Sequence, residues 1–282
     1  MTTEQLDFEP LNLSEIQQES ERVNQEETKG SDDYLAKFVK LPERDGYVNM
    51  RFLPKLRGKK LYCATKIHYL DDGTGTGKTK VYHSPKKLEF NDKGQPRWIG
   101  ESVIDLFLRD LWSRSEKANE KDRKEMRRLY SRTKGVERYY YWVIVREEKD
   151  AEGKINKNQL KIFSCGKTVH AMILRAISGD PKLGIKPLGD VTNPKTGRDF
   201  KLVKKMTKAQ DPETMAMREY ANYDLSAFDT QESPLGTDEE VAMWLSQMHD
   251  LEDLKKVKSD DELKIALKVH LGVITPTAAS TA

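Results

Sequence analysis

The strongest restriction on the fold comes from four consecutive aromatic residues, Tyr139 to Trp142, which follow directly after Arg138. The surrounding segment 139–146 has the composition of a β-strand. Successive side chains of a strand point to opposite faces, so two of the four rings project to each face. We therefore expect one of these faces to contact something other than the protein core.

Charge is distributed unevenly along the chain, although the formal net charge is only +3. Residues 1–33 contain 10 acidic and 2 basic residues, and residues 209–282 contain 15 acidic and 6 basic ones. The segment between them, 34–208, holds 41 basic and 21 acidic residues, a formal charge of +20. Such a basic centre indicates a polyanionic partner.

Length and cysteine content narrow the class of protein. The 282 residues allow one large or two small domains. The two cysteines, Cys63 and Cys165, are too few for a disulfide framework and are consistent with a reducing compartment. No apolar run approaches the roughly 18 residues that span a bilayer, and the acidic N-terminus lacks the layout of a signal peptide. We therefore expect a cytoplasmic location and no membrane partner.

Strand patterns dominate the central segment, with helical patterns between them. Strands are predicted at 47–53, 61–70, 78–83, 139–146, 159–164 and 200–206. Helices are predicted at 101–112 and 167–178, and two capping boxes, Thr237 with Glu240 and Ser259 with Glu262, predict two more. The charged stretch 114–134 is either a solvated helix or a mobile basic flap. Residues 1–33 are too polar to bury a core and are predicted to be a flexible arm.

Motifs for catalysis or metal binding are weak. The segment 72–79 resembles a phosphate-binding P-loop, but Asp72 replaces the first glycine and a strand rather than a helix follows. A glycine-rich hairpin tip fits this segment better. Cys63 and His68 would point to opposite faces of one strand and could not share an ion. No Ser/His/Asp or Cys/His signature is recognisable, so we predict that the protein is not an enzyme.

Aromatic residues alternate with basic ones in three places. The run Arg138–Trp142 is the first; the basic segment 51–60, with Tyr62 and Tyr69 nearby, is the second; Arg127 and Arg128 before Tyr130 form the third. Stacking of a base on an aromatic ring contributes about 1–3 kcal/mol and is tolerant of sequence. The alternative is that the rings fill a sheet core and the lysines only solvate it. The charge of the central segment favours nucleic-acid binding.

Five short motifs occur in series along this segment. They are Arg51-Phe52-Leu53-Pro54, Tyr141-Trp142, Gly166-Lys167, Asp190-Val191-Thr192 with Phe200, and Asn222-Tyr223-Asp224. In order and spacing they resemble the gene 32 protein family, the helix-destabilising single-stranded DNA-binding proteins of T-even-like bacteriophages. The resemblance covers residues 47–228 and continues more weakly through 237–273.

The resemblance implies an α+β, β-rich fold: an OB-fold-like barrel with helical insertions and a helical C-terminal segment. Together with the charge and element patterns, it predicts a DNA-binding core at 34–230, C-terminal helices at 231–273 that pack on it, and a disordered end at 274–282. It also places six residues in a cleft that follows single-stranded DNA. These are Arg51, Arg138, Tyr141, Phe163, Lys167 and Tyr223.

The chain departs from the family pattern in three respects. The family holds a structural zinc with one histidine and three cysteines; here His68 matches the histidine and His83 replaces the first cysteine, but the paired C-x-x-C is absent. We therefore expect no cofactor, with His68 and His83 as the first ligands to test if zinc is found. The family's basic N-terminal motif for cooperative binding is replaced here by an acidic segment. The family's acidic C-terminal tail, which recruits partners, is missing after Thr275-Pro276, so we expect that the chain is either truncated or diverged there.

These observations predict a non-enzymatic protein that coats and protects single-stranded DNA. It would remove secondary structure during phage DNA replication, recombination and repair, without sequence preference, in the host cytoplasm. The alternatives are an RNA-binding regulator that uses the same cleft and a P-loop-like nucleotide hydrolase. Expected partners are single-stranded DNA, phage replication and recombination proteins, and other copies of the chain along DNA. The predicted DNA contacts are Arg51, Lys55, Arg57, Lys59, Lys60, Arg127, Arg128, Tyr130, Arg132, Lys134, Arg138, Tyr139, Tyr140, Tyr141, Phe163, Lys167 and Tyr223.

Overall fold

A computed structural model describes residues 37–92, 95–149, 155–210 and 217–273. The described residues from Val39 onward belong to one compact unit. The predicted arm 1–33, the predicted disordered end 274–282 and the turn predicted at Gly153 lie outside the described residues. Within the described ranges, no helix is both long enough and apolar enough to cross a membrane.

The described residues form ten strands and five α-helices, so the mixed, β-rich class is confirmed. The strands are β1 (Gly46–Phe52), β2 (Cys63–Asp71), β3 (Thr79–His83), β4 (Lys87–Phe90), β5 (Pro96–Ile99), β6 (Val136–Lys149), β7 (Ile155–Cys165), β8 (Phe200–Gln210), β9 (Met217–Asn222) and β10 (Ala227–Phe228). The helices are α1 (Val103–Lys117), α2 (Glu120–Thr133), α3 (Lys167–Ser178), α4 (Asp238–Gln247) and α5 (Asp260–His270), with 3₁₀ turns at Pro181–Leu183 and Leu251–Leu254.

The long strand β6 organises an eight-stranded antiparallel sheet. One of its edges pairs first with β2, where Cys63 lies opposite Tyr140, and then with β1, where Phe52 lies opposite Val143. Its other edge pairs with β7. The sheet continues from β2 to β3 and from β1 to β8, which pairs with β9 and β10, while β4 and β5 form a separate hairpin. No pairing among the described strands closes a barrel, so the OB-fold barrel remains a prediction.

Aromatic and aliphatic side chains from β1, β6, β7 and β8 form the main core. The ring of Phe52 lies edge-on to Tyr141, with centroids 5.1 Å apart, and close to Phe163 and Phe200. A second cluster joins α1 and α5 to β2 through Ile104, Leu263 and Leu70. The C-terminal helix α5 is therefore anchored on the sheet by apolar burial.

Local sequence signals account for several boundaries. Both predicted capping boxes form: the Thr237 and Ser259 hydroxyls accept hydrogen bonds from the backbone of Glu240 and Glu262, whose carboxylates bond back to the cap residues. The segment 114–134 contains a second helix, α2, so of the two alternatives the helix is correct. The former P-loop candidate is a hairpin connection, because Asp72 N–H bonds to Lys78 O and the next element is a strand.

Candidate nucleic-acid interface

All four rings of the run from Tyr139 to Trp142 are buried. Tyr141 has no exposed surface, and the other three rings are at most 8% exposed. Strands pair on both edges of β6, and packing covers both of its faces. The expectation that one face contacts something other than the core is therefore wrong.

Contacts with His170 on α3 explain why these tyrosines lie inside. The Tyr141 hydroxyl lies 2.6 Å from His170 Nδ1, and the Tyr139 ring stacks on the imidazole with centroids 3.6 Å apart. Burial lowers the pKa of His170 to about 4 and raises the pKa of Tyr141. The imidazole is therefore neutral at neutral pH, and the tautomer with its proton on Nε2 accepts the tyrosine hydrogen bond at Nδ1. In this conformation neither Tyr141 nor Phe163 offers a ring face to a base.

Arg51, the first predicted cleft cation, is also fully buried. Its guanidinium lies 2.9 Å from Asp199 Oδ1 and donates to the hydroxyl and backbone oxygen of Ser233. Arg146 binds both carboxylate oxygens of the same aspartate, at 2.7 and 2.8 Å. Burial lowers the pKa of Arg51, an effect that the Asp199 charge opposes. These contacts make Arg51 an anchor for the segment around Ser233 and leave it no surface for a phosphate.

Three other predicted residues come together where β7 ends and α3 begins. Arg138 is partly exposed, donates to the Tyr69 hydroxyl at 3.2 Å, and lies against Gly166. Lys167 is exposed as the first residue of α3, whose N-cap Gly166 has no side chain to cap the helix. Tyr223 is half-buried, and the Arg138 charge partly offsets the rise in its pKa that burial causes. A helix start beside two cations suits a phosphate group.

A surface with both cations and aromatic rings continues across β2 and the β4–β5 hairpin. Lys66 Nζ lies 5.1 Å from the centroid of the Trp98 ring, and Trp98 Nε1 donates to Glu137 at 3.0 Å. Burial and then the neighbouring Lys86 charge lower the pKa of Lys66. Lys60 Nζ lies 5.9 Å from the ring of Phe90, which is 53% exposed.

A concavity of about 220 Å³ opens beside these side chains. It is lined by Lys60, Tyr62, Ala64, Lys87, Leu88, Glu89, Glu252 and Lys255. Its half-buried Tyr62 ring lies 4.6 Å from the His170 ring, which connects the concavity to α3. We use the name "groove" for the surface formed by Lys60, Tyr62, Lys66, Phe90, Trp98, Arg138, Lys167 and Tyr223.

Sequence reasoning missed Lys66, Phe90 and Trp98 as site residues. The signal for the latter two was available, because Lys86, Lys87 and Phe90 precede an Asn-Asp-Lys-Gly turn typical of a hairpin, and Arg97 and Trp98 follow it. Lys66 gave no separate signal, since a lysine in a strand is ordinarily a solvated residue. Only the packing of the hairpin against β2 brings it to Trp98.

The remaining predicted DNA contacts lie on two other elements. Lys55, Arg57 and Lys59 are exposed on the loop between β1 and β2, where Lys59 forms a 2.5 Å ion pair with Asp250. The other group is on or just after α2 and consists of Arg127, Arg128, Tyr130, Arg132 and Lys134.

The α2 group has its own internal contacts. The Arg127 guanidinium lies 5.1 Å from the Trp112 ring centroid, and Tyr130 packs against the same ring. Arg132 pairs with Asp71 at 2.7 Å. The DNA contacts predicted for this group and for the loop remain predictions.

The residues that the resemblance assigns to zinc do not fit a shared ion. Ile67 lies opposite His83, and His68 lies opposite Tyr82, so the two histidines point to opposite faces of the β2–β3 pair. His68 Nδ1 bonds to Thr133 O at 2.8 Å, and His83 bonds to Thr65. Among the described residues, no three His, Cys, Asp or Glu side chains are close enough to hold a metal. The absence of a cofactor stays a prediction.

Comparison with known proteins agrees with the basic character of the groove. No curated protein sequence matches the chain. A family model described as gp32 DNA binding protein like matches residues 44–272, which is more than half of the chain and includes every groove residue. On this match, the chain belongs to the gp32 DNA binding protein like family.

Proposed function

We propose that this protein binds single-stranded DNA without sequence preference and coats it during phage DNA replication, recombination and repair. The observation that carries the proposal is the groove, where Arg138 lies against Gly166 and the exposed Lys167 begins α3, beside partly exposed rings. Membership of a DNA-binding family supports the same class of ligand.

The groove matches the physical requirements of such binding. Cations that neutralise phosphates release counterions, which gives affinity without reading bases. The exposed ring of Phe90 and the partly exposed ring of Trp98 can stack on any base, because every base has a π-face. An extended single strand could present both its phosphates and its bases to this surface. A duplex keeps its base faces stacked inside, so it offers phosphates but no base face on which a ring can stack.

In this proposal, the predicted residues that are buried form the packed core beneath the groove and do not contact DNA themselves. Tyr139, Tyr141 and Phe163 pack under the groove, and the two tyrosines contact His170, whose ring lies against the Tyr62 ring. We propose that the DNA-binding core spans 34–230, that the helices of 231–273 pack on it, and that the protein works in the cytoplasm without a cofactor. Its proposed partners beyond DNA are replication proteins, recombination proteins and further copies of itself.

Titration of oligo-dT at several salt concentrations tests this function. The log–log slope should be about −0.7 for each phosphate contact. Arg138→Ala with Lys167→Ala should lower the magnitude of the slope by about 1.4, because two contacts are lost. Lys195→Ala, at an exposed turn outside the groove, is the matched control and should leave the slope unchanged.

An affinity that does not depend on salt would contradict the proposal. A matched duplex should bind more weakly than oligo-dT of the same length. Tighter binding to the matched RNA strand would instead favour the RNA-binding alternative, since an RNA reader must contact the 2′-hydroxyl. ATP hydrolysis that depends on the segment 72–79 would favour the hydrolase.

A further inference from the structure

A second surface combines cations and rings on the outer face of β1, β8 and β9. In β1, Tyr47 lies opposite Val203 of β8, and Asn49 lies opposite Lys201. In β9, Tyr220 lies opposite Thr207 of β8. Directly opposed residues share a face, and alternate residues along β8 share it too. Tyr47, Lys201, Lys205 and Tyr220 therefore lie on one face, and we name these four residues the "outer strip".

The outer strip is open, in contrast to the tyrosines of β6. Tyr47 is 59% exposed and Tyr220 is 48% exposed. Lys201 Nζ lies 4.3 Å from the centroid of the Tyr47 ring. The opposite face of the same strands carries the apolar side chains, including Met50 and Leu202, that form the core.

The electrostatics of the outer strip favour an anion. Along β1, β8 and β9, the described positions on this face include no acidic residue. Asp45 and Asp199 flank the strip along the chain, but both carboxylates are engaged. The first accepts the Met206 N–H at 2.7 Å, and the second pairs with Arg51. The two lysines of the strip therefore have no carboxylate on their own face of these strands.

The spacing of these side chains suits a linear ligand. From Lys201 to the position opposite Tyr220 is six residues of strand, about 20 Å at the usual rise. That length corresponds to about six stacked nucleotides at the 3.4 Å rise of one DNA strand. Along this path lysines and rings alternate: Lys201 comes first, then Tyr47 opposite position 203, then Lys205, and then Tyr220 opposite position 207.

The geometry points to the outer strip as a second binding site for single-stranded nucleic acid, separate from the groove. The inference rests on the proposed function, because it assumes that the groove holds another segment of single strand. The two surfaces share no residue, so one chain could hold a separate segment of single strand on each of them. An acidic peptide, such as the segment 1–33 of this chain, would use the lysines but would gain nothing from the rings.

The test is to count oligo-dT hexamers bound to the full-length protein by calorimetry and native mass spectrometry. The wild type should bind two. Tyr47→Ala should weaken one of the two sites about five-fold to a hundred-fold, because a stacking ring is lost. Tyr47→Phe, which keeps the ring, should restore it. Lys201→Ala with Lys205→Ala should lower the salt slope of that site by about 1.4.

The groove variants separate this inference from the proposed function. Arg138→Ala with Lys167→Ala should weaken the other site and leave the outer strip intact. One hexamer per wild-type chain, unaffected by Tyr47→Ala, would overturn the second site while the proposed function stands. No hexamer bound at all would overturn both. Binding of a 1–33 peptide that depends on Lys201 but not on Tyr47, with no hexamer on the strip, would also overturn the inference.

Discussion

The aromatic run on β6 and the outer strip have the same chemistry and opposite positions in the fold. Both place tyrosines next to basic residues on antiparallel strands. Tyr141 is completely buried, whereas Tyr47 is 59% exposed. Arg51, on the same face of β1 as Tyr47, is buried and paired with Asp199, whereas Lys201 is exposed beside the Tyr47 ring.

The difference comes from what covers each strand. β6 is flanked by β7 on one edge and by β2 and β1 on the other, and α3 brings His170 over its tyrosines. Among the described residues, the segment around Ser233 covers the outer face of β1 at Arg51, whereas Tyr47, Asn49 and Lys201 on the same face are exposed. An aromatic–basic pattern therefore indicates a nucleic-acid site only where no other element packs on the rings.

Truncation of the buried and the exposed ring should give the largest contrast. Tyr141→Ala should lower the free energy of unfolding by about 3–5 kcal/mol, because it leaves a cavity in the main core. Tyr47→Ala should change it by less than about 0.5 kcal/mol, as is usual at an exposed site. Urea denaturation of both variants measures the difference. Equal losses would show that the two rings do not differ in burial.

The free energy of unfolding should depend on pH through His170, which packs against the buried tyrosines. The pKa of His170 is about 4 in the folded protein and about 6.5 when unfolded, so the unfolded state binds more protons between these values. Stability should therefore fall as pH decreases from about 6.5 to 4, with about 3 kcal/mol lost in total from this residue. Urea denaturation from pH 7 to 4 measures the loss. His170→Gln should make the dependence shallower, and Lys201→Ala should leave it unchanged.

The buried and exposed cations can be compared in the same way. Arg51→Ala should cost about 2–3 kcal/mol of stability, less than the full cost of an unpaired buried charge, because Arg146 still pairs with Asp199. Lys201→Ala should cost almost nothing and should act on the salt dependence of DNA binding instead. If Arg51→Ala keeps the wild-type stability but lowers the salt slope of DNA binding, then Arg51 contacts DNA and this comparison is wrong.

The smallest expected effect isolates a single hydrogen bond. Tyr141→Phe keeps the ring but removes the hydroxyl that lies 2.6 Å from His170 Nδ1. The loss should be about 1 kcal/mol, the usual value for one hydrogen bond. Tyr47→Phe is the matched control and should not alter the denaturation midpoint. A neutral Tyr141→Phe would show that packing alone holds this ring in the core.

Local patterns in the sequence determined much of the secondary structure. Side-chain and backbone groups three residues apart form the capping boxes at Thr237 and Ser259, so the starts of α4 and α5 follow from neighbouring residues alone. The hairpin loop near Asp72 follows from local turn chemistry in the same way. The basic centre, which is a sum over residues, also required no structure. The family resemblance rested on short motifs in order, and the match over 44–272 confirms it.

Only the tertiary structure decided which aromatic and basic side chains are exposed to solvent and which are buried. Tyr141 meets His170 across 29 residues of chain, and Arg51 meets Asp199 across 148. Neither the strand period nor the composition of a segment carries information about such distant partners. For this reason the sequence did not indicate Lys66 as a groove residue, and it did not indicate that Arg51, predicted in the cleft, is buried. Burial depends on which elements pack together, whereas helix caps and turns depend on residues that are already neighbours.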